Sequence, residues 1–361
     1  MKLLVSLLIL SCVVASAGTL YIPAYPNDVL VVDDTNGKVL DTIVLSTGLP
    51  TGIRLSADKK TLFVTTNDKS GIEVIDIATR KVTNHFVLNT ETNRFRLNGA
   101  APDPEGKILY ATTTEIIKKS DRFEIGKPKY TVIDLAQQKI VKTVDSSTAQ
   151  GETPDAGGGN GGGAFEVSPD GQYLYQFRNQ VVVLKAADFS PVEKIDLGRP
   201  EDPTLDSLSL GGMLEALSEP GQRVSLFNFS DPIIHAKSFG LAKFDLNTRK
   251  FEFTPIGPAP VSMTNLKITP DKKMGYTVVT NGTLGNKRCE VWGLDLGNSR
   301  LAKTAEIPCR SRFSFGISTD GKKVYMYGAG FEIEVYDAAT FQHEATWDLG
   351  HDMRGGMVGL P

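Results

Sequence analysis

The residues of this chain with chemistry to offer are four histidines, three cysteines and a set of arginines placed just ahead of short β-type runs. His85, His235, His343 and His351 stand far apart, and none has a second ligand at metal spacing, so no metal site is expected. His85 and His343 fall in the outer hairpins of the repeat units identified below, and His235 falls in a long loop. His351, in His351-Asp352-Met353-Arg354, is the histidine placed to act on a substrate. There is no C-x-x-C-H haem site, no H-E-x-x-H and no G-x-S-x-G. The arginines come in groups: Arg94, Arg96 and Asn98; Arg310 and Arg312; and Arg354 beside His351 and Asp352. Asn160, Thr264 and Asn265 hold equivalent places. In a chain of net charge −3, such a cluster can bind an anion or dock an acidic partner through bidentate hydrogen bonds. It can equally bridge neighbouring elements through Asp and Glu. Both readings stay open at this point.

The chain begins Met1-Lys2, continues with an apolar run from Leu3 to Val14, and reaches Ala15-Ser16-Ala17. One positive charge, a short apolar core and an A-x-A site describe a secretory signal peptide over residues 1–17. The run is too short for a transmembrane anchor. A rival cut before Cys12 would make that cysteine a lipid anchor, but few residues precede it. The expectation is an exported chain, periplasmic or extracellular, with one domain over residues 18–361. Cys289 and Cys309 then remain. A hairpin folded about Gly297-Asn298 brings Cys289 opposite residues 306–309, within bridging reach, so a disulfide is expected; the alternative is two buried thiols. With 39 Lys and Arg against 42 Asp and Glu, there is no basic excess to hold nucleic acid.

Internal repetition sets the architecture. Turns related to Ser/Thr-Pro-Asp-Gly begin at Ser56, Asp103, Ser168, Ser218, Thr269 and Ser318, 47 to 65 residues apart. A short β-type run follows, as in Leu62 to Asn67, Ile108 to Thr112 and Val324 to Tyr327. A second hairpin then reads Val74-Ile-Asp-Ile-Ala-Thr-Arg-Lys81, Val132-Ile-Asp-Leu-Ala-Gln-Gln-Lys139, Lys243-Phe-Asp-Leu-Asn-Thr-Arg-Lys250 and Val335-Tyr-Asp-Ala-Ala-Thr-Phe341. A unit of about 50 residues holds four strands, the size of a propeller blade. Six markers make six blades. Leu20 to Ala24 and Val29 to Lys38 supply the outer strands of a seventh, whose inner strand is expected at Gly355 to Pro361. The fold class is therefore all-β, a seven-bladed propeller closed by its C-terminus. Leu210 to Leu217 is expected to be at most a short turn.

Leu62-Phe-Val-Thr-Thr-Asn67 and the Val-Ile-Asp-x-x-Thr hairpins resemble the YVTN-type β-propeller family over almost the whole chain. Asn98 to Lys107, followed by a long hairpin to Tyr130-Thr-Val-Ile-Asp134, is similar to the propeller β-subunit of quinohaemoprotein amine dehydrogenases. That resemblance implies a structural subunit with quinone and haem on partner chains, no cofactor on this one, and no catalytic residue carried over. Two tryptophans are too few for the tryptophan-docked blades of pyrroloquinoline-quinone dehydrogenases, and Trp347-Asp348 is not a repeated WD signature.

In a four-stranded antiparallel blade the first and third turns share one face, while the second loop and the blade connections share the other. The first class is uniformly tight here. Length varies in the second, at Thr113 to Lys129, Asp145 to Gly163, Gly198 to Gly211, Ser230 to Gly240 and Asn281 to Arg288. That built-up face is the expected working face. The groups from Arg94 to Arg354 are expected there, at the mouth of the central channel. Gly157 to Gly163 lacks the Gly-Lys-Ser/Thr end of a phosphate loop and reads as a flexible connector, or as backbone amides at that mouth. Three functions follow. One is a non-catalytic subunit or docking platform, with an amine-dehydrogenase-like redox complex as its pattern. The second is a propeller lactonase using His351 and the arginines. The third is an envelope module for an anionic ligand. Asn228-Phe-Ser230 and Asn281-Gly-Thr283 are sequons that matter only where exported proteins are glycosylated.

Overall fold

The computed structural model describes residues 18–146, 165–177, 180–200, 202, 204–210, 214–310, 312–328 and 330–361. Seven antiparallel sheets form the blades of a closed ring. Blade 1 contains Thr19–Ala24, Asp28–Asp33 and Val39–Val44, with Val358–Leu360 as its innermost strand. Blade 2 runs outward through Pro50–Leu55, Thr61–Thr66, Gly71–Asp76 and Lys81–Val87. Blade 3 has Asn93–Pro102, Ile108–Lys118, Lys129–Asp134 and Lys139–Asp145, with Phe123–Ile125 added beside the second strand. Blade 4 has Phe165–Val167, Tyr173–Phe177, Gln180–Lys185 and Pro191–Asp196. In blade 5 the first strand is broken into Asp206–Leu210 and Glu215–Ala216, ahead of Gln222–Ser230, Lys237–Asp245 and Lys250–Pro258. Blade 6 likewise has Ser262–Met263 and Lys267–Ile268, then Met274–Asn281, Arg288–Asp295 and Arg300–Ile307. Blade 7 has Ser314–Ile317, Lys323–Tyr327, Glu332–Asp337 and His343–Asp348. The expected turn near Leu210 to Leu217 instead contains a short strand, since Glu215 and Ala216 pair with Val224 and Arg223.

The second and third strands of each blade are covered on both faces, so they read as nearly continuous apolar runs; the outer strands alternate because one face meets water. Seven buried clusters fill the seven junctions between neighbouring blades. Alternation divides each strand between two of them. Leu20 and Ile22 pack toward blade 7, and Tyr21 between them packs toward blade 2. A one-residue slip would invert this assignment, which is why the register is firm.

The tight turns explain the repeat motifs. In the first turn of a blade the Ser or Thr hydroxyl donates to the carboxylate two residues on, at 2.6 Å for Ser56 to Asp58 and 2.7 Å for Ser318 to Asp320. In the turn between third and fourth strands the Asp carboxylate accepts amides two or three residues ahead, as Asp76 does from Thr79 and Asp337 from Ala339 and Thr340. The fifth residue of that turn has positive φ in every blade, from Ser299 at 49° to Gly37 at 74°. Only blade 1 needs glycine there, because a Cβ at Gly37 would come within 2.2 Å of the Trp347 ring.

Ring closure follows the expected plan. Thr19, Leu20 and Tyr21 pair with Leu360, Gly359 and Val358, and the same contact continues upstream as Arg354 N donates to Pro23 O and Tyr25 N to Asp352 O. Cys289 lies opposite Ile307 and bonds Cys309, with Cα atoms 5.2 Å apart. Among the described residues no helix is long and apolar enough to cross a membrane. Residues 1–17, with Cys12 and the signal-peptide reading, lie outside the described residues.

Candidate docking face

Loop lengths segregate by face, and blade 3 shows the consequence. Its second strand runs eleven residues, Ile108–Lys118, and carries the sheet well past the ring. Asn93–Pro102 pairs along it on one side and Phe123–Ile125 on the other, forming a three-stranded projection. Arg94, Arg96 and Asn98 are therefore not in the connection that enters the blade, as their position in the sequence suggested. They lie within a long innermost strand, with a register shift between Asn98 and Ala101.

Register decides which way the projection looks. Arg94 is opposite Ile116, which is opposite Ile125, and Phe123 is opposite Lys118. Opposed residues share a face, so Arg94, Arg96, Lys118, Ile116, Phe123 and Ile125 stand on one side. Phe95 and Leu97, on the other side, pack into the cluster shared with blade 2. The cationic and apolar side thus looks over blade 4. Its Asp and Glu neighbours have been sorted away: Glu115 and Glu124 alternate onto the opposite side, where Glu115 accepts from Asn93 at 2.5 Å. Arg94, Arg96 and Lys118 are exposed, with no ion pair among the described residues.

Blade 5 supplies the second projection. Its strands separate at Ser230 and resume at Lys237. The loop between is held by Asp231, whose carboxylate accepts the amides of Ile233 and Ile234 at 2.8 and 2.9 Å. Those two amides, Ile234 foremost, keep the Asp231 carboxyl below the usual carboxylate range. The turn props Ile233 and Ile234 outward, 84 % and 72 % exposed. Blade 4 lies between the two projections and closes its own loop between Phe177 and Gln180. The connection that joins blades 3 and 4, with Asn160 and the Gly157 to Gly163 run, lies outside the described residues.

The remaining described site residues are Arg310, His351, Asp352, Arg354, Asn265 and Arg312. Arg310 donates to Glu334 at 2.7 Å, and Glu334 also accepts from His343 and Thr346 at 2.7 Å each. Burial pushes the Glu334 carboxyl up, but the Thr346 and His343 bonds and the Arg310 charge outweigh it and hold the group below the usual range. Arg310 thus ties the connection between blades 6 and 7 to the third strand of blade 7. Glu73, at the same place in blade 2, is fully buried and accepts four hydrogen bonds from Ser46 and Thr47 of the preceding connection. His351 is tethered too: Nδ1 lies 3.0 Å from Leu349 O and Nε2 3.8 Å from the Asp28 carboxylate. Asp352 and Arg354 hold the backbone contacts of the closing segment. Asn265 and Arg312 are exposed. Among the described residues no three His, Cys, Asp or Glu side chains group as metal ligands.

Sequence reasoning found the arginines but missed the apolar side chains beside them. Among the described residues, the large apolar side chains more than half exposed are Tyr25, Val44, Phe123, Ile125, Ile233, Ile234, Val261 and Phe331, and all eight lie at the long-loop face. The available signal was Phe123 and Ile125 within a loop otherwise dominated by Lys, Arg, Asp and Glu, and the Ile233-Ile234 pair within another.

No protein-family model matches the chain, and no curated protein matches it in sequence. Solved structures do. A periplasmic gluconolactonase of Pseudomonas aeruginosa is similar at 13 % identity over 96 % of this chain and 99 % of that one, with TM-score 0.58. A functionally unknown protein from Desulfotomaculum acetoxidans is similar at 12 % identity over 96 % and 99 %, also with TM-score 0.58. Dihydro-heme d1 dehydrogenase NirN is similar at 14 % identity over 95 % of this chain and 75 % of its own, with TM-score 0.55. Such likeness shows the propeller fold and nothing finer.

Proposed function

We propose that this chain is a docking platform, an exported propeller that seats a protein partner over blade 4, between the blade 3 and blade 5 projections. The observation that carries the reading is the sorting of side chains on the blade 3 projection. One side gathers Arg94, Arg96 and Lys118 with Phe123 and Ile125, and leaves the carboxylates on the other. A surface that is apolar and cationic, held on a paired sheet, suits a partner that offers acidic side chains around an apolar anchor. Charge sets the rate and orientation of encounter, and burial of Phe123, Ile125, Ile233 and Ile234 supplies the affinity.

The YVTN and amine-dehydrogenase likenesses belong to the same proposal. In such a complex, quinone or haem sits on the partner, and this chain holds it in place. Export is part of the reading; the intramolecular disulfide and the leader-like residues 1–17 are compatible with it. The test is purification of the native chain with its partner, followed by charge reversal on the projection. Turnover of a lactone by the isolated chain, lost on replacing His351 and Arg312 by Ala, would instead establish the hydrolase reading.

A further inference from the structure

The junction of blades 5 and 6 holds a cleft that the docking reading does not use. Both first strands are broken there, and Pro258 and Pro260 hold the connection between the blades extended without amide donors. Facing side chains are consequently not drawn together, and a cavity of about 340 Å³ remains open to the long-loop face. That volume is at the small end of ligand pockets, about 300–1,000 Å³.

The polar lining consists of Ser207, Ser209, Asn228, Ser230, Lys237 and Ser262. Among the described residues, none of these six side chains makes a hydrogen bond or ion pair with the protein. Among the described residues no Asp or Glu lines the cleft, and Lys237 is the one charged side chain there. Lys267, at the same junction, contrasts with it, because Glu215 neutralises it at 2.6 Å. Ala259, Val261 and Met263 supply the apolar part of the lining, while the Phe229 side chain, on the other side of its strand, packs toward blade 4.

We propose that this cleft binds a small hydroxylated carboxylate of monosaccharide size. Serine hydroxyls and the asparagine amide both donate and accept, which matches ligand hydroxyls that do the same. Lys237 only donates, and it supplies the charge-assisted bond to a carboxylate. Val261 and Met263 cover the C–H face of such a molecule. The cleft faces blade 6, and its Ser230 and Lys237 also stand at the base of the loop that carries Ile233 and Ile234.

The test is calorimetric titration of the full chain with D-glucuronate and D-galacturonate, beside neutral D-glucose and unhydroxylated acetate. The acids are expected to bind, with glucose and acetate each at least about tenfold weaker, and Lys237→Gln is expected to weaken the acids about tenfold, the scale of one charge-assisted bond. Asn228→Leu is expected to weaken acid and sugar alike, while Phe123→Asp leaves both unchanged. Absence of binding by either acid, or equal binding to Lys237→Gln with an unaltered melting temperature, overturns the proposal.

Discussion

The phenol of Tyr325 and the carboxylate of Asp34 are 291 residues apart in the chain and 2.6 Å apart in space. The same phenol donates to Asp34 O at 2.9 Å, and the second carboxylate oxygen accepts both Thr319 N and Thr319 Oγ1 at 2.6 Å. Blade 7 is thereby pinned to the turn between the third and fourth strands of blade 1. Burial and the neighbouring carboxylate hold the Tyr325 phenol far above its ordinary range, so it remains a donor at any working pH. The contact is one of a series in which the second strand of a blade reaches the next blade's tight turn. Tyr21 donates to Ile77 O, Tyr175 to Leu246 O and Tyr276 to Ala338 O. In blade 2 the equivalent residue is Phe63, and Asn84 from the outer strand takes over the equivalent carbonyl of Leu135 at 2.8 Å.

Removing the pin strands buried donors. Asp34→Ala is expected to cost about 2–4 kcal/mol, and Tyr325→Phe about 1–2 kcal/mol. Urea unfolding midpoints check both. An Asp34→Ala loss under about 0.5 kcal/mol would show that the contact does not hold the ring closed.

Acid should release a second tether. The Glu334 carboxyl is held below its usual range, so its contribution is fully present above about pH 5 and fades as pH falls through the folded value. Glu334→Gln should therefore melt lower than the native chain at pH 7, with the gap closing toward about pH 3. Melting temperatures across that range read the effect directly. A gap that widens in acid would contradict the sign.

The disulfide closes a hairpin already held by strand pairing. Replacing Cys289 and Cys309 together by Ser is expected to cost about 1–3 kcal/mol, toward the low end for a loop of 20 residues, while the circular dichroism of the strands persists. Collapse of the fold on reduction would mean that blade 6 depends on the bridge far more than its pairing indicates.

The fold was legible because each blade repeats the same local chemistry. The Asp turn, its positive-φ fifth residue and the Ser-x-Asp turn are all set by residues a few positions apart. Blade 4 shows the limit. Lys185 replaces the Asp of the hairpin, yet Phe189 keeps the positive φ and the pairing survives. Closure by the C-terminus was legible too, since blade 1 lacked only an inner strand. The site was not. Arg310 faces Glu334 and His351 faces Asp28 through contacts between distant segments, so nothing local shows that they are occupied. Arg94 and Arg96 gain their meaning from the register of a strand whose length Gly99 and the following Ala residues obscure.

One measurement bears most directly on the docking platform. The chain would be purified gently from its native source, and its co-eluting partner identified. Reconstitution would then use the native chain, the double variant Phe123→Asp and Ile125→Asp, and Leu40→Asp as a control on the opposite face. The account predicts a defined partner whose binding falls about 100-fold or more in the double variant, the scale of two buried anchors made anionic, with the control unchanged. Equal binding by all three chains, or a native chain that runs alone and turns over a substrate, would contradict it.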